Sequence, residues 1–169
     1  MQTTAWTSDF TARLSAKFAE QISEFSSFAG QNFLIIKADA VPDLLRYLRD
    51  CEEFDLLEDF TAVHYPKREQ QFELVYTLYS FARNERIRVK ARIKEGEKPQ
   101  SVVAIYPTAN WMEREVFDMF GIVFTGHPDL RRILMPDEWQ GHPMRRDSDI
   151  RNSDSRWIQE NLGIEMTRQ

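Results

Sequence analysis

The chain has 169 residues, 42% of them hydrophobic and 12% aromatic, enough to bury one core and to form one domain with or without a tail. No apolar run approaches the roughly 20 residues of a membrane-spanning helix, and the opening MQTTAWTSDFTARLSAK breaks up any secretory-type apolar block, so the sequence predicts a protein that stays in the cytosol. The single cysteine, Cys51, excludes an intrachain disulfide, a cysteine-rich zinc site and an iron–sulfur cluster held by this chain alone; the net charge of −5, with residues 67–169 almost neutral at 16 acids to 17 bases, lacks the basic excess of a nucleic-acid-binding domain.

Residues 8–26 place Phe10, Leu14, Phe18, Ile22 and Phe25 at near-helical spacing behind Ser8 or Asp9 as a cap, which predicts one amphipathic helix ended by Gly30. NFLIIKA (32–38) reads as a strand and VPDLLRYLRDC (41–51) as a helix with Pro42 in its first turn. Cys51, at the end of that helix, is expected to pack as a small apolar residue. The second half of FDLLEDFTAVHY (54–65) predicts a central strand stopped by Pro66.

QFELVYTLYSF (71–81) and RIRVKARIK (86–94) flank the loop 82–85 and predict a hairpin pairing Leu78 with Val89, Tyr76 with Ala91 and Leu74 with Ile93. Its other face carries Arg86, Arg88, Lys90, Arg92 and Lys94. Such a row could serve RNA, but no aromatic cluster interleaves the bases, and a solvated or partner-facing surface with Glu73 opposite Lys94 is preferred.

NWMEREVFDMFG (110–121) predicts a helix capped near Asn110 and stopped by Gly121, with Met112, Val116, Met119 and Phe120 on one face. Trp111, Arg114, Glu115 and Asp118 form the opposite ridge, where the four-residue spacing predicts an Arg114–Asp118 ion pair. Glu113 and Glu115 point about 200° apart on a helix, which argues against a shared carboxylate site.

From residue 125 the chain is rich in Pro, Gly, Arg and Asp and too aperiodic to build a core, so it wraps this domain or lies on another protein. Its centre is GHPDLRRILMPDEWQGHPMRRD (126–147), with two Gly-His-Pro triplets, each leading into an Arg-Arg pair. His127 and His142 with Asp129 and Asp147 could ligate zinc or iron, yet the spacing is not that of a helical ligand pair. A phosphate clamp by Arg131-Arg132 and Arg145-Arg146 is opposed by the acids that accompany each pair, Asp129, Asp147 and Asp149. All seven basic residues after Thr125 are arginine, the cation favoured at protein interfaces. A protein surface is the preferred reading.

ANWMEREVFDMFGIVFTGHPDLRRILMPDEWQGHPMRRD resembles the signature of the 30-kilodalton (C) subunit of proton-pumping NADH:quinone oxidoreductase, respiratory complex I, and the similarity extends upstream through FELVYTLYSFARNERIRVKARI to Phe54. The resemblance implies an α+β domain over 1–124, a mixed, largely antiparallel sheet flanked by helices, followed by an extended arginine-rich tail over 125–169 that docks on partner subunits. It implies a non-catalytic subunit of the hydrophilic arm, needed for assembly, peripheral on the cytoplasmic face of the inner (plasma) membrane, and packed on the quinone-site catalytic subunit and on iron–sulfur subunits. No cofactor or metal is expected on this chain; FMN, iron–sulfur clusters and quinone belong to the assembled complex. Signature positions, read as partner-interface residues, are Glu113, Arg114, Glu115, Asp118, Gly121, Gly126, His127, Pro128, Asp129, Arg131, Arg132, Pro136, Gly141, Pro143, Arg145, Arg146 and Asp147. His64 stands where the family usually carries aspartate. The same domain occurs in ferredoxin-fed and membrane-bound hydrogenase relatives, so the electron donor is not fixed by these motifs.

Overall fold

A computed structural model describes residues 2–148 and 155–163. It contains a six-stranded mixed sheet in the order β1-β2-β3-β6-β5-β4. The strands are β1 (Thr4–Ala5), β2 (Ile22–Phe28), β3 (Gln31–Lys37), β4 (Leu56–His64), β5 (Phe72–Ser80) and β6 (Glu85–Ile93). Every pairing is antiparallel except the central one, β3 with β6. Helices α1 (Asp9–Phe18), α2 (Val41–Glu52) and α3 (Ala109–Phe120) contribute Leu14, Leu44, Leu45, Leu48, Val116 and Phe120 to one core; a further helix, α4, spans Ser155–Leu162. The predicted α+β class is borne out.

The first helix is shorter than expected. Ser8 caps α1 through a reciprocal pair of hydrogen bonds with Thr11, but α1 stops at Phe18, and Ile22 and Phe25 lie on β2. Ser23, Ser26 and Ser27 compete with helical backbone bonding and suit a strand. Gly30 turns the β2–β3 hairpin rather than ending a helix: Ala29 and Gly30 both have positive φ, 51° and 76°, as a twisted two-residue hairpin turn requires. Pro42 does open α2, as predicted. Cys51 is exposed, not packed, because it falls on the solvent side of α2 while Leu44, Leu45 and Leu48 take the core side.

β4 is an edge strand, not a central one. A register shift between Leu57 and Asp59 turns Glu58 and Asp59 outward, and α3 packs along the strand. The β5–β6 hairpin exists, two residues out of the predicted register: Leu74 faces Ala91, Tyr76 faces Val89 and Leu78 faces Ile87. Ser80 pairs with Glu85 and closes the turn earlier than expected. An even slip preserves every side chain's face, so the core assignment survives the error. Glu73 consequently opposes Arg92 and pairs with Lys90 and Arg92 at 3.4 and 3.1 Å.

The helices share one side of the sheet with Leu34, Ile36, Leu74, Tyr76, Leu78, Ile87, Val89 and Ala91. On the opposite face Phe33 and Ile35 lie outside that core, and Lys90 reaches to 4.4 Å from the Phe33 ring centre. Lys90 of the basic row therefore lies over an apolar side chain of this sheet face.

Candidate protein interface

The stretch 125–147 lies on its own domain, over α3 and the neighbouring end of the sheet. Gly121, with φ 80°, ends α3 in a left-handed cap whose N–H bonds to the Phe117 carbonyl. α3 begins at Ala109 behind Thr108, and the expected Asn110 cap is absent because the preceding turn already leads in with helical dihedrals.

Asp118 is the centre of the arrangement. Fully buried, it accepts from the backbone N–H groups of Ile133, Leu134 and Met135 at 2.8 to 3.0 Å through Oδ2, and from Arg132 Nη1 at 2.5 Å through Oδ1. Burial works to raise the Asp118 carboxyl, but these donors outweigh it and hold it below the ordinary aspartate value. The predicted Arg114–Asp118 pair is not formed: Asp118 takes Arg132 from across the chain, while Arg114 donates to the carbonyls of Arg131 and Arg132 at 3.3 and 3.4 Å. Arg132 also donates to the Trp139 and Gly141 carbonyls.

Both histidines bond to backbone. His127 Nε2 donates to the Asn110 carbonyl at 3.1 Å and its Nδ1 accepts from Asp129 N–H, while His142 Nδ1 donates to the Asp118 carbonyl at 2.9 Å. With their nitrogens so directed, the two rings do not converge on a common point, and among the described residues no three His, Cys, Asp or Glu side chains are grouped as metal ligands. Gly121 makes room for His142: a Cβ there would stand 2.6 Å from its Nε2. Pro143 occupies the second position of a turn from His142 to Arg145, and Pro136 opens the turn to Trp139. Gly126, Pro128 and Gly141 are exposed along the same course.

The second arginine pair closes over β4, β5 and the loop after β6. Arg145 makes paired bonds to Glu95 at 2.8 Å and approaches Asp147 at 3.1 Å, with its guanidinium 5.4 Å from the Phe72 ring centre. Arg146 N–H donates to buried His64 Nδ1 at 3.1 Å, and its guanidinium lies over Tyr65. The accompanying acids are used as expected, Asp129 with Arg131 at 3.0 Å and Asp147 with Arg145; Asp149 lies outside the described residues. Glu95 escaped the sequence reading, since nothing local links it to an arginine fifty positions away.

Glu113 and Glu115 diverge as predicted, one inside and one exposed. Glu113 Oε1 accepts from Val102 N–H at 2.7 Å; burial pushes the carboxyl up to about 7 against the opposing pull of the Val102 N–H and the Ser101 side chain. A cleft of about 840 Å³ is an open groove beyond the ends of β3 and β6, with Lys37, Asp39, Arg92, Lys98 and Gly126 on its walls. Its mixed charge marks no single ligand chemistry, and of the signature positions it includes only Gly126.

Residues 34–154 match the sequence model of the family described as respiratory-chain NADH dehydrogenase, 30 Kd subunit. The chain belongs to that family. It is 41% identical over 143 residues to the NADH-quinone oxidoreductase C subunit of Geotalea uraniireducens, covering 84% of this chain and 87% of that one. To the C subunit of Rhodobacter capsulatus it is 49% identical over 121 residues, covering 70% and 60%. To the NADH-quinone oxidoreductase C/D subunit of Bdellovibrio bacteriovorus it is 40% identical over 139 residues, 82% of this chain but 25% of that longer one. A chain in the structure of the membrane-bound sulfane sulfur reductase, an archaeal respiratory membrane complex, superposes with a TM-score of 0.74 at 27% identity over 92% of this chain and 91% of that chain. The matched region contains the whole Asp118-centred arrangement that secures 125–147 to α3. Among the described residues no helix is long and apolar enough to cross a membrane.

Proposed function

We propose that this protein is a non-catalytic hydrophilic-arm subunit of a proton-pumping NADH:quinone oxidoreductase, peripheral on the cytoplasmic face of the membrane and required for assembly. The observation that carries the reading is how the signature residues are used. Asp118, Arg132, His127 and Arg145, with His142 beside them, are all committed to holding an irregular stretch of backbone in one path. That is the work of a shaped surface, not of groups aimed at a substrate.

Partner subunits are proposed to hold the flavin, the iron–sulfur clusters and the quinone. An iron–sulfur cluster needs several thiolates, and this chain has only Cys51. The likeness to a C/D polypeptide supports a direct contact with the D-type, quinone-site subunit, since two domains that share one chain in a relative are under pressure to pack together. A place in a related complex is the second reading, favoured by the sulfane sulfur reductase neighbour. The 40–49% identity to NADH-quinone oxidoreductase subunits supports the first more strongly than 27% supports the second.

The test is native purification of the tagged chain from its own membranes, with mass spectrometry and NADH and ferredoxin oxidation assays. Recovery of a flavin and iron–sulfur assembly that reduces quinone with NADH is the expected result. Preference for ferredoxin would move the chain to the related complex; recovery of the chain alone or with RNA would overturn both readings.

A further inference from the structure

On the outward ridge of α3, Arg114 is buried, 6% exposed, with no carboxylate within ion-pairing distance among the described residues. Its Nε and Nη2 make two long bonds to carbonyls, and its guanidinium lies 4.9 Å from the ring centre of Trp111. A guanidinium withdrawn from water without a counter-ion is costly unless another group completes it. Nη1 has no bond to any described residue, yet it is not among the side-chain atoms sealed off without a partner.

Two large apolar side chains on the same stretch of surface are exposed. Trp111 is 64% exposed and Leu134 is 61% exposed. Residues 131–135 run along α3 from Arg114 to Asp118, so the two side chains flank the crossing at either end of about 10 Å of helix rise. The scaffold beneath is fixed by the buried Asp118 and Arg132. A rigid tryptophan beside an arginine on an ordered support is the composition of an energetic centre in a protein interface.

We infer that Trp111, Arg114 and Leu134 form the anchoring centre of this chain's contact with a partner subunit, and that the occupant is a partner surface presenting one carboxylate ringed by apolar side chains. The carboxylate completes Arg114 through Nη1, while Trp111 and Leu134 enter the apolar ring and exclude water from the pair. The basic face of the sheet fits this role less well, because Arg86, Lys90, Arg92 and Lys94 each already have an acid on this chain. The inference rests on the subunit reading above and adds the site and the chemistry of its partner.

The test uses the assembled complex. Hydroxyl-radical footprinting of the unaltered protein should find Trp111 at least tenfold less modified in the complex than in the isolated full-length chain; equal modification would overturn the site. Trp111→Ser and Leu134→Ser should each lower recovery of the chain in the complex about tenfold, whereas Phe81→Ser, removing an equally exposed ring at the β5–β6 turn, should leave recovery within twofold. Recovery of all three at the unaltered level, or an equal loss for Phe81→Ser, would overturn the site while leaving the subunit reading intact. Carbodiimide treatment of complex carrying Arg114→Lys should join position 114 to an Asp or Glu of another chain; a link only to Glu115 or Asp118, or none, would overturn the carboxylate. Failure of the unaltered chain to enter any complex would overturn both proposals.

Discussion

Arg132 reaches back fourteen residues to place its guanidinium 2.5 Å from the buried carboxylate of Asp118, which at the same time accepts three consecutive backbone N–H groups from the segment that follows Arg132. One side chain on a helix thereby fixes the path of a stretch with no periodicity of its own. Asp118→Asn leaves a cation without its anion and puts an amide where donors converge, and is expected to cost about 3 kcal/mol. Urea unfolding of the full-length chain measures the loss, and hydrogen exchange at residues 133–135 should rise before that of β5 and β6. The Asp118 carboxyl is held below its ordinary value, so its stabilisation is complete above the unfolded-state pKa and disappears as pH falls through the folded-state one. Loosening of 133–135 should therefore begin only in acid below about pH 4.

Glu113 has the opposite sign. Its carboxyl is pushed up to about 7, so the folded state binds this proton more tightly than the unfolded chain does. Stability should fall as pH rises from the ordinary glutamate value toward 7 and then level off. Glu113→Gln keeps an oxygen for Val102 N–H and removes the buried charge, with an expected gain on the order of 3 kcal/mol at pH 8 and almost none at pH 4.5. Paired urea titrations of variant and unaltered chain at those two pH values check it; a gain independent of pH would assign the effect to packing.

Gly121→Ala combines two penalties. The new Cβ would sit at positive φ and press on His142, a stiff ring already tied to the Asp118 carbonyl. A loss of about 2 kcal/mol is expected, accompanied by a shift of the His142 ring resonances in NMR. Gly96→Ala, with the same sign of φ but open space around it, should lose only the backbone part.

Glu52 joins three elements, bonding Arg13 of α1, Arg83 of the β5–β6 turn and Tyr47 of its own helix. The paired bonds from Arg13 are the main reason its carboxyl is held at about 2. Glu52→Gln should cost about 2 kcal/mol at pH 7, a difference that shrinks as pH falls toward 2, because a depressed carboxyl stabilises only while ionised. Thermal unfolding of both proteins between pH 3 and 7 would show the two curves converging.

What the sequence disclosed about this fold followed from how local the controlling interaction is. The α2 and β3 signals are complete within a dozen residues and both appear in place, and the two strands of the β5–β6 hairpin are equally local, with only their register two residues off. The stretch after Phe18 departs from its helical expectation because Ile22 and Phe25 satisfy helical spacing and a strand alike, and only pairing with β3 decides between them. The 126–147 motif announced an ordered surface through its prolines and arginines, whereas the partners of those arginines were invisible. Arg114 and Asp118 sit at ideal ion-pair spacing on one helix, yet Arg132 offers Asp118 a buried fit that includes the backbone donors beside it. Glu95 is a surface acid among many until Arg145 is folded onto it.

The lone parallel pairing between β3 and β6 carries a consequence for biosynthesis. The β2–β3 hairpin is complete early in the chain and β4, β5 and β6 form a meander with short links, but within the sheet the two halves pair only along this seam. A ribosome exposes the edge of β3, with Phe33 and Ile35 on one side and Leu34 and Ile36 on the other, until residues 85–93 have emerged. During that interval the nascent chain presents an unpaired apolar strand, the species that chaperones retain and that aggregation captures. The seam that unites the sheet is thus also a pairing that cannot form until β6 has been made.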